Sequence, residues 1–116
     1  MRNDIILLRT ILYYCNEIEY AIEKTGNDME DFLDSKMCQH ACSFCIEQIG
    51  KNVKDLSNEL TNKHHEIPWN NIAGMRDIIA HKYHRVDLNK IWLTITEEIP
   101  LLKDACEKIL REIETR

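Results

Sequence analysis

Apolar side chains recur at steps of three and four residues along most of this chain, and that spacing fits α-helices rather than strands. With only 3 Gly and 2 Pro in 116 residues, the chain is too poor in turn residues for an all-β fold. Gly26 suits a left-handed helix end, and Asp28 suits the start of a short helix over "MEDFLDS". The first apolar stripe, which precedes them, consists of Ile5, Leu8, Leu12, Cys15, Ile18 and Ile22.

Two more stripes follow in the middle of the chain. Gly50 lies beside the second and costs about 1 kcal/mol of helix propensity, which packing can outweigh. A loop is predicted over "TNKHHEIP", and Pro68 suits the first turn of a third helix from about Trp69 to Tyr83. The second stripe consists of Cys38, Cys42, Cys45, Ile49, Val53, Leu56 and Leu60, and the inward residues of the third helix are Ile72, Met75 and Ile79.

The last stripe predicts a fourth helix with Asp87 as its N-cap. Because the apolar spacing continues through Pro100, we expect a continuous but kinked helix. Its stripe consists of Leu88, Ile91, Ile95, Ile99, Leu102, Cys106, Ile109 and Ile113. Together the stripes predict an all-α, antiparallel up-and-down bundle of four main helices, forming a single domain over residues 1–116.

Composition narrows the class of protein. No apolar run approaches the roughly 18 residues of a membrane span, and charged residues interrupt the N-terminal apolar groups, which is unlike a signal peptide. Five cysteines without a secretory signal indicate reduced thiols and a cytoplasmic location. The net charge of −5 argues against broad nucleic-acid binding, so any site for an anion has to be local.

Two clusters could suggest a metal site. Cys38, Cys42 and Cys45 lie on one helix face, whereas zinc sites usually draw ligands from a turn or from two elements, so we predict core packing. His64 and His65 are neighbours in the predicted loop and should be solvated. No metal ligands are assigned.

The stretch "RDIIAHKYHR", from Arg76 to Arg85, is the unusual one. Five of its ten residues are Arg, Lys or His, and Asp77 is its only acid. A cationic end of a helix complements the helix dipole and is common. However, Arg76 lies in mid-helix beside the core residue Met75, where it needs an anionic partner. Asp77 is four positions from His81 and can favour its charged form.

Helix geometry separates the two principal groups of this stretch. His81 follows Arg76 by five positions and therefore points roughly 140° away on a regular helix. One helix cannot easily aim both groups at one phosphate. Either the helix deforms, or a two-fold dimer brings the groups of both chains into one cleft.

The segment "PWNNIAGMRDIIAHKYHRVDLNKIWLTITEEIPLL" resembles the HepT-like toxins, which are minimal members of the HEPN superfamily. It has their Pro-Trp opening, a Gly-Met-Arg step, the pattern R-x4-H-x-Y, and V-D-L before an apolar-Trp pair. Arg76, His81 and Tyr83 match the Arg, His and Tyr of that pattern. The resemblance is specific over residues 68–102 and rests on helix pattern alone in residues 1–67.

This resemblance implies a homodimeric, metal-independent ribonuclease without a cofactor, the toxin of a toxin–antitoxin pair. Its partners would be RNA, either tRNA or mRNA, and a small nucleotidyltransferase antitoxin that transfers AMP to Tyr83. Cleavage without metal needs a base of near-neutral pKa, for which His81 is suited, and a fixed cation on the phosphorane, for which Arg76 is suited. Lys82, His84 and Arg85 could help to hold the RNA backbone.

Two other functions stay open at this point. The chain could be a non-catalytic adaptor that presents a nucleotide or substrate to a nucleotidyltransferase, with Arg76 and His81 only binding phosphate. It could also be a redox or metal sensor that uses Cys38, Cys42 and Cys45. The intact Arg76, His81 and Tyr83 favour the ribonuclease, because an adaptor has no need for a histidine at that spacing.

Overall fold

Helices and turns make up the structure, a computed structural model that describes residues 2–80 and 87–115, with side chains for 3–76 and 87–115. No β-strand occurs in these ranges, so the predicted all-α class is confirmed. None of the helices in them is both long and apolar enough to cross a membrane. The helices are α1 (Arg2–Thr25), α2 (Met29–Asp34), α3 (Lys36–Lys54), α4 (Asn58–Lys63), α5 (Trp69–Ala80), α6 (Leu88–Leu93) and α7 (Ile99–Glu114), with a π-helical segment (Thr94–Glu98) between α6 and α7.

Helix α3 is the central element of the bundle. It packs along α1 on one side and along α5 on the other, while α7 packs against α1. The apolar stripes meet between these helices and form one core. Phe32 of α2 closes one end of this core, where its ring lies 5.3 Å from the ring of Trp92. The predicted stripe residues with described side chains therefore face inward, although Ile5, Leu12, Leu88 and Ile113 are only partly buried. Ile79 lies outside the described side chains, and Ile11 is a buried residue that the spacing did not include.

The turn between α1 and α2 has the predicted conformation. Gly26 has a φ of +126°, and Asn27 follows with a φ of +64°. The side chain of Asp28 accepts a hydrogen bond of 2.8 Å from the backbone N–H of Asp31, as an N-cap does. A side chain at position 26 would also collide with the Asp31 carboxylate, so glycine is required there for two reasons.

The prediction of one long second helix is wrong, because the chain breaks between α3 and α4. Ser57 caps α4 by accepting a hydrogen bond from the backbone N–H of Leu60. Asp4 of α1 is buried and accepts hydrogen bonds from the backbone N–H of Ser57, at 2.9 Å, and from its hydroxyl. This contact between distant parts of the chain fixes the break. Helix α4 includes Thr61–Lys63, so the predicted loop is shorter than expected at its start.

The last predicted helix is continuous from Leu88 to Glu114, and Asp87 caps its start by accepting from the Lys90 N–H. Its irregularity is the π-helical segment directly before Pro100. The backbone N–H of Ile99 donates to the carbonyl of Thr94, five residues earlier. Proline lacks an N–H and its ring clashes with the carbonyl of the preceding turn. The wider π turn gives the ring room without ending the helix.

Candidate functional site

Helix α5 carries the first residue of the predicted site, and its inward face is anchored at three points. Trp69, Ile72 and Met75 are buried, and the indole N–H of Trp69 donates to the carbonyl of His64 at 3.0 Å. The backbone N–H of Ile72 donates to the carbonyl of Pro68, which joins the helix to the preceding turn. These contacts hold α5 in a fixed orientation on the core, and with it Arg76.

Arg76 is half-buried, because its stem lies against α3 at Gly50. A Cβ atom on residue 50 would lie 3.0 Å from the carbonyl oxygen of Ala73. It would also lie 3.2 and 3.3 Å from Cβ and Cγ of Arg76. Such distances are tighter than ordinary van der Waals contact, so α5 can approach this closely only because position 50 has no side chain.

Gly50 thus supports Arg76, a role that the sequence analysis did not assign to it. The sequence did contain an indication, because an isolated glycine beside an apolar helical stripe often has a packing reason. The stripe itself does not say which helix lies against the glycine. In the structure that helix is α5, and the side chain above the glycine is Arg76.

The guanidinium of Arg76 is the positive charge on the described part of α5. Among the side chains that the structure describes, no carboxylate lies within ion-pair distance of its guanidinium. A guanidinium has five N–H donors in a planar fork, which matches a phosphate or a carboxylate.

The remaining predicted site residues lie outside the description of the structure. Asp77 belongs to α5, but its side chain lies outside the described atoms. His81, Lys82, Tyr83, His84 and Arg85 lie outside the described residues, in the segment that joins α5 to the Asp87 cap of α6. Their roles stay predictions.

The cysteine cluster packs in the core, as predicted. All five cysteines of the chain are buried and free, and the sulfurs of Cys38 and Cys42 lie 4.0 Å apart. Burial raises the pKa of the Cys45 thiol to about 11 and that of Cys42 still further. In the described ranges, no group of three or more His, Cys, Asp or Glu is arranged to hold a metal ion. Burial thus disfavours the thiolate form of Cys42 and Cys45.

The adjacent histidines differ from each other. His65 is solvated as predicted, with its side chain 85% exposed. For His64 the prediction is wrong, because its side chain is only 14% exposed and lies between α4 and α7. Its ring nitrogens are 3.7 Å from a carboxylate oxygen of Glu66 and 3.9 Å from one of Glu112, too far for hydrogen bonds. His64 is thus a residue of the helix interface.

Comparison with known proteins identifies a family whose model matches the chain and several similar proteins. The model of the family described as "Ribonuclease HepT-like" matches residues 11–109. A Caldanaerobacter subterraneus subsp. tengcongensis protein named "Putative RNase" is 40% identical over 97 residues, which cover 83% of this chain and 87% of that protein. A Thermococcus cleftensis protein named "Probable ribonuclease HepT" is 42% identical over 80 residues, which cover 69% of this chain and 73% of that protein.

A third relative, from Methanocaldococcus jannaschii and also named "Putative RNase", is 38% identical over 108 residues, 92% of this chain and 87% of that protein. No solved structure matches the chain. The family match spans the bundle from α1 to α7 and includes Gly50 and Arg76. The chain therefore belongs to the HepT-like ribonuclease family.

Proposed function

We propose that this chain is a metal-independent endoribonuclease, the toxin of a toxin–antitoxin pair, which cuts RNA in a cleft between two copies of itself. Membership of the HepT-like ribonuclease family is the observation that carries the proposal. The position of Arg76 supports it, because packing of its stem against α3 at Gly50 restricts the arginine and so helps to preorganise it for a phosphate. Names of the relatives as ribonucleases agree with RNA as the substrate.

The reaction we propose is transfer of the phosphodiester within the RNA. The neutral imidazole of His81 removes the proton of the 2′-hydroxyl, whose oxygen attacks the adjacent phosphorus. The bond from phosphorus to the 5′-oxygen breaks, and that oxygen receives a proton from the imidazolium form of His81, which acts in turn as base and as acid. The products are a 2′,3′-cyclic phosphate and a 5′-hydroxyl.

Arg76 stabilises the charge that develops in this reaction. The phosphorane transition state carries extra negative charge on its non-bridging oxygens, and the guanidinium fork can donate two parallel hydrogen bonds to them. Asp77 favours the charged form of His81, and Lys82, His84 and Arg85 hold neighbouring phosphates. Because Arg76 and His81 diverge by roughly 140° on a regular helix, two copies related by a two-fold axis supply one complete cleft.

Inhibition by AMP follows from the same charges. In our proposal a nucleotidyltransferase antitoxin joins the phenol oxygen of Tyr83 to the α-phosphorus of ATP, and pyrophosphate leaves. The new phosphodiester carries a negative charge two positions from His81. It can pair with Arg76 in place of the RNA phosphate and so block cleavage.

The test is cleavage of total cellular RNA by the purified protein in EDTA. We expect wild type to cut RNA and to leave 2′,3′-cyclic phosphate ends, since the 2′-hydroxyl is the nucleophile. His81→Ala and Arg76→Ala should each lower the rate by about 10²–10³-fold. His65→Ala and Arg111→Ala are matched controls, because both residues are exposed and lie outside the proposed cleft.

The outcome that contradicts the proposal is absence of cleavage by wild type whose Tyr83 is shown to be unmodified by intact mass. In that case the chain would be the non-catalytic adaptor of a nucleotidyltransferase. Cleavage that EDTA stops would retain the ribonuclease and refute its independence of metal. Equal activity of the His81→Ala and His65→Ala variants would remove His81 from the chemistry.

A further inference from the structure

A second feature of the surface lies away from Arg76, in a groove of about 720 Å³ between α1 and the first half of α3. Four large apolar side chains on its walls, Tyr13, Tyr20, Met37 and Phe44, are more than half exposed. Ala41 and Cys45 form part of its floor. Contiguous exposed apolar surface of this kind marks an interaction site more often than scattered residues do.

The groove faces away from the α5 side of α3. Ala41 precedes Gly50 by nine positions, which on a regular helix turns it through about 180°. Gly50 contacts α5 at Arg76, so the groove and the proposed catalytic helix occupy opposite flanks of α3. A molecule in the groove would not fill the site at Arg76.

The groove has an acidic border. Glu17, Asp31 and Asp34 line it together with a single base, Lys24. The segment 13–45, which supplies all the lining residues, has seven acidic and two basic residues, a net charge of −5. Thirteen acidic and thirteen basic residues make up the rest of the chain, so this segment accounts for the whole net charge.

The aromatic walls suit cations as well. The ammonium nitrogen of Lys24 lies 5.6 Å from the centroid of the Tyr20 ring, a cation–π contact. On the other side, hydrogen bonding to Glu17 raises the pKa of the Tyr13 phenol. The groove thus offers carboxylates and electron-rich ring faces next to apolar surface.

These charges argue against two occupants. RNA would bring phosphates to an acidic border, which repels them. A second copy of the chain, docked groove to groove, would oppose one acidic border to another. The chemistry of the border fits a positively charged molecule.

We propose that this groove binds a basic amphipathic helix of a partner protein, with aliphatic side chains on the apolar floor and Lys or Arg on the acidic border. Helices that dock in grooves use apolar anchors at steps of three and four residues. The groove follows α1 from Tyr13 to Thr25, roughly 18 Å, which is about three turns of a docked helix. This inference goes beyond the proposed ribonuclease and does not depend on it.

A fluorescein-labelled peptide of about 14 residues, built from leucine at helical spacing and lysine elsewhere, is the first probe. We expect binding, measured by anisotropy, that weakens at least 10-fold in Phe44→Ala and in Tyr20→Ala. Leu101→Ala, which removes another exposed apolar residue but on α7, should leave the affinity within about two-fold. Backbone amide shifts in the wild-type protein should map to α1 and α3.

A second set of measurements tests the role of charge. Replacing every lysine of the peptide with glutamate should abolish binding, and Asp34→Lys should weaken binding of the lysine peptide several-fold. Asp34 is exposed at the end of α2, so this variant should keep the fold.

Each alternative has a distinct result that overturns the inference. If the glutamate peptide binds as tightly as the lysine peptide, or if the amide shifts map outside α1 and α3, the basic helix is not the ligand of this groove. Displacement of the peptide by oligouridylate would indicate RNA as the occupant. A change of oligomeric state in Phe44→Ala, measured by sedimentation, would indicate a second copy of the chain. RNA cleavage is measured separately on the same protein, so failure of one proposal does not imply failure of the other.

Discussion

Two regions of this chain have opposite charge, and Arg76, the described side chain of the basic region, lies on the flank of α3 opposite the acidic groove. The segment 13–45 carries the entire net charge of −5, whereas five of the ten residues from Arg76 to Arg85 are Arg, Lys or His. The overall charge of the chain therefore describes neither region. A chain can be acidic as a whole and still hold a site for phosphate, provided that the charges are segregated.

The two regions also differ in how the bundle supports them. In the basic region, Arg76 owes its position to Gly50 on the neighbouring helix α3. The residues of this region are contiguous in sequence. The groove is assembled from α1 and α3, and α2 adds Asp31 and Asp34 to its border. The five predictions below test this contrast, beginning with the largest expected effect.

The thiols under the groove should be closed to reagents, since the groove ends on a packed core. Burial raises the pKa of Cys15 and Cys106 to about 12 and that of Cys45 to about 11, from about 9. We expect reaction with an aromatic disulfide at pH 8 to be about 10²–10³-fold slower in the native protein than in guanidinium. Fast labelling of the native chain would show that the groove opens into the core, and would revive the redox-sensor hypothesis.

The same thiols make stability depend on pH. Because their pKa values are higher in the folded state than in the unfolded state, the folded chain retains protons that the unfolded chain loses. Their contribution is complete below pH 9 and is lost as the pH rises towards 11 and 12. Urea unfolding at pH 8 and pH 10 should show the decrease, and Cys45→Ala should reduce it.

Arg76→Lys tests whether the basic region acts by geometry or by charge alone. Lysine keeps the positive charge but lacks the planar fork, so we expect single-turnover cleavage to fall by about 10²-fold with unchanged unfolding. Arg111→Lys, at an exposed position of α7, is the control. Full activity of Arg76→Lys would mean that any cation serves at this position.

Gly50→Ala tests the support beneath Arg76. The added Cβ would press on the Ala73 carbonyl and on the Arg76 stem, and overpacking costs about 1–3 kcal/mol. The gain in helix propensity is about 1 kcal/mol, so a net loss of up to about 2 kcal/mol is expected, together with slower cleavage.

Gly74→Ala is the matched control, because nothing lies within 4 Å of a Cβ built there. That variant should gain up to about 1 kcal/mol of stability from helix propensity alone. Urea unfolding of both variants measures the change in unfolding free energy at each position. Equal gains at positions 50 and 74 would contradict the close approach of α5.

The sequence predicted the parts of the fold that depend on neighbouring residues. The stripes gave the inward faces of the helices, and Gly26, Asp28 and Asp87 gave the turns and caps, because a cap contacts a backbone group only two or three residues away. The pattern from Arg76 to Tyr83 is local in the same way, because one continuous segment contains both the residue spacing and the resemblance to the family.

What the sequence did not predict depends on contacts between distant residues. The break after α3 is fixed by Asp4 and Ser57, which are 53 positions apart. The apolar spacing runs through this break without change. The role of Gly50 and the existence of the groove likewise depend on which helix lies beside α3, and periodicity does not contain that information.

The smallest predicted effect concerns Glu19, an acidic residue that forms an ion pair within the fold. Glu19 of α1 accepts hydrogen bonds of 2.9 and 3.0 Å from the ammonium of Lys103 on α7. This pairing raises the pKa of Lys103, so its contribution is complete near neutral pH and is lost only in strong alkali. Because Glu19 is 45% exposed, the pair should be worth less than about 1 kcal/mol.

Lys103→Met should therefore lower the unfolding free energy by a few tenths of a kcal/mol to about 1 kcal/mol at low salt, and by less at high salt. Lys108→Met, at an exposed position one turn and a half along α7, is the control. If the pair is only structural, the variant should bind the lysine peptide with unchanged affinity. A marked gain in affinity would instead mean that Lys103 partly neutralises the acidic border, and the border would then extend from the groove around α1 to α7.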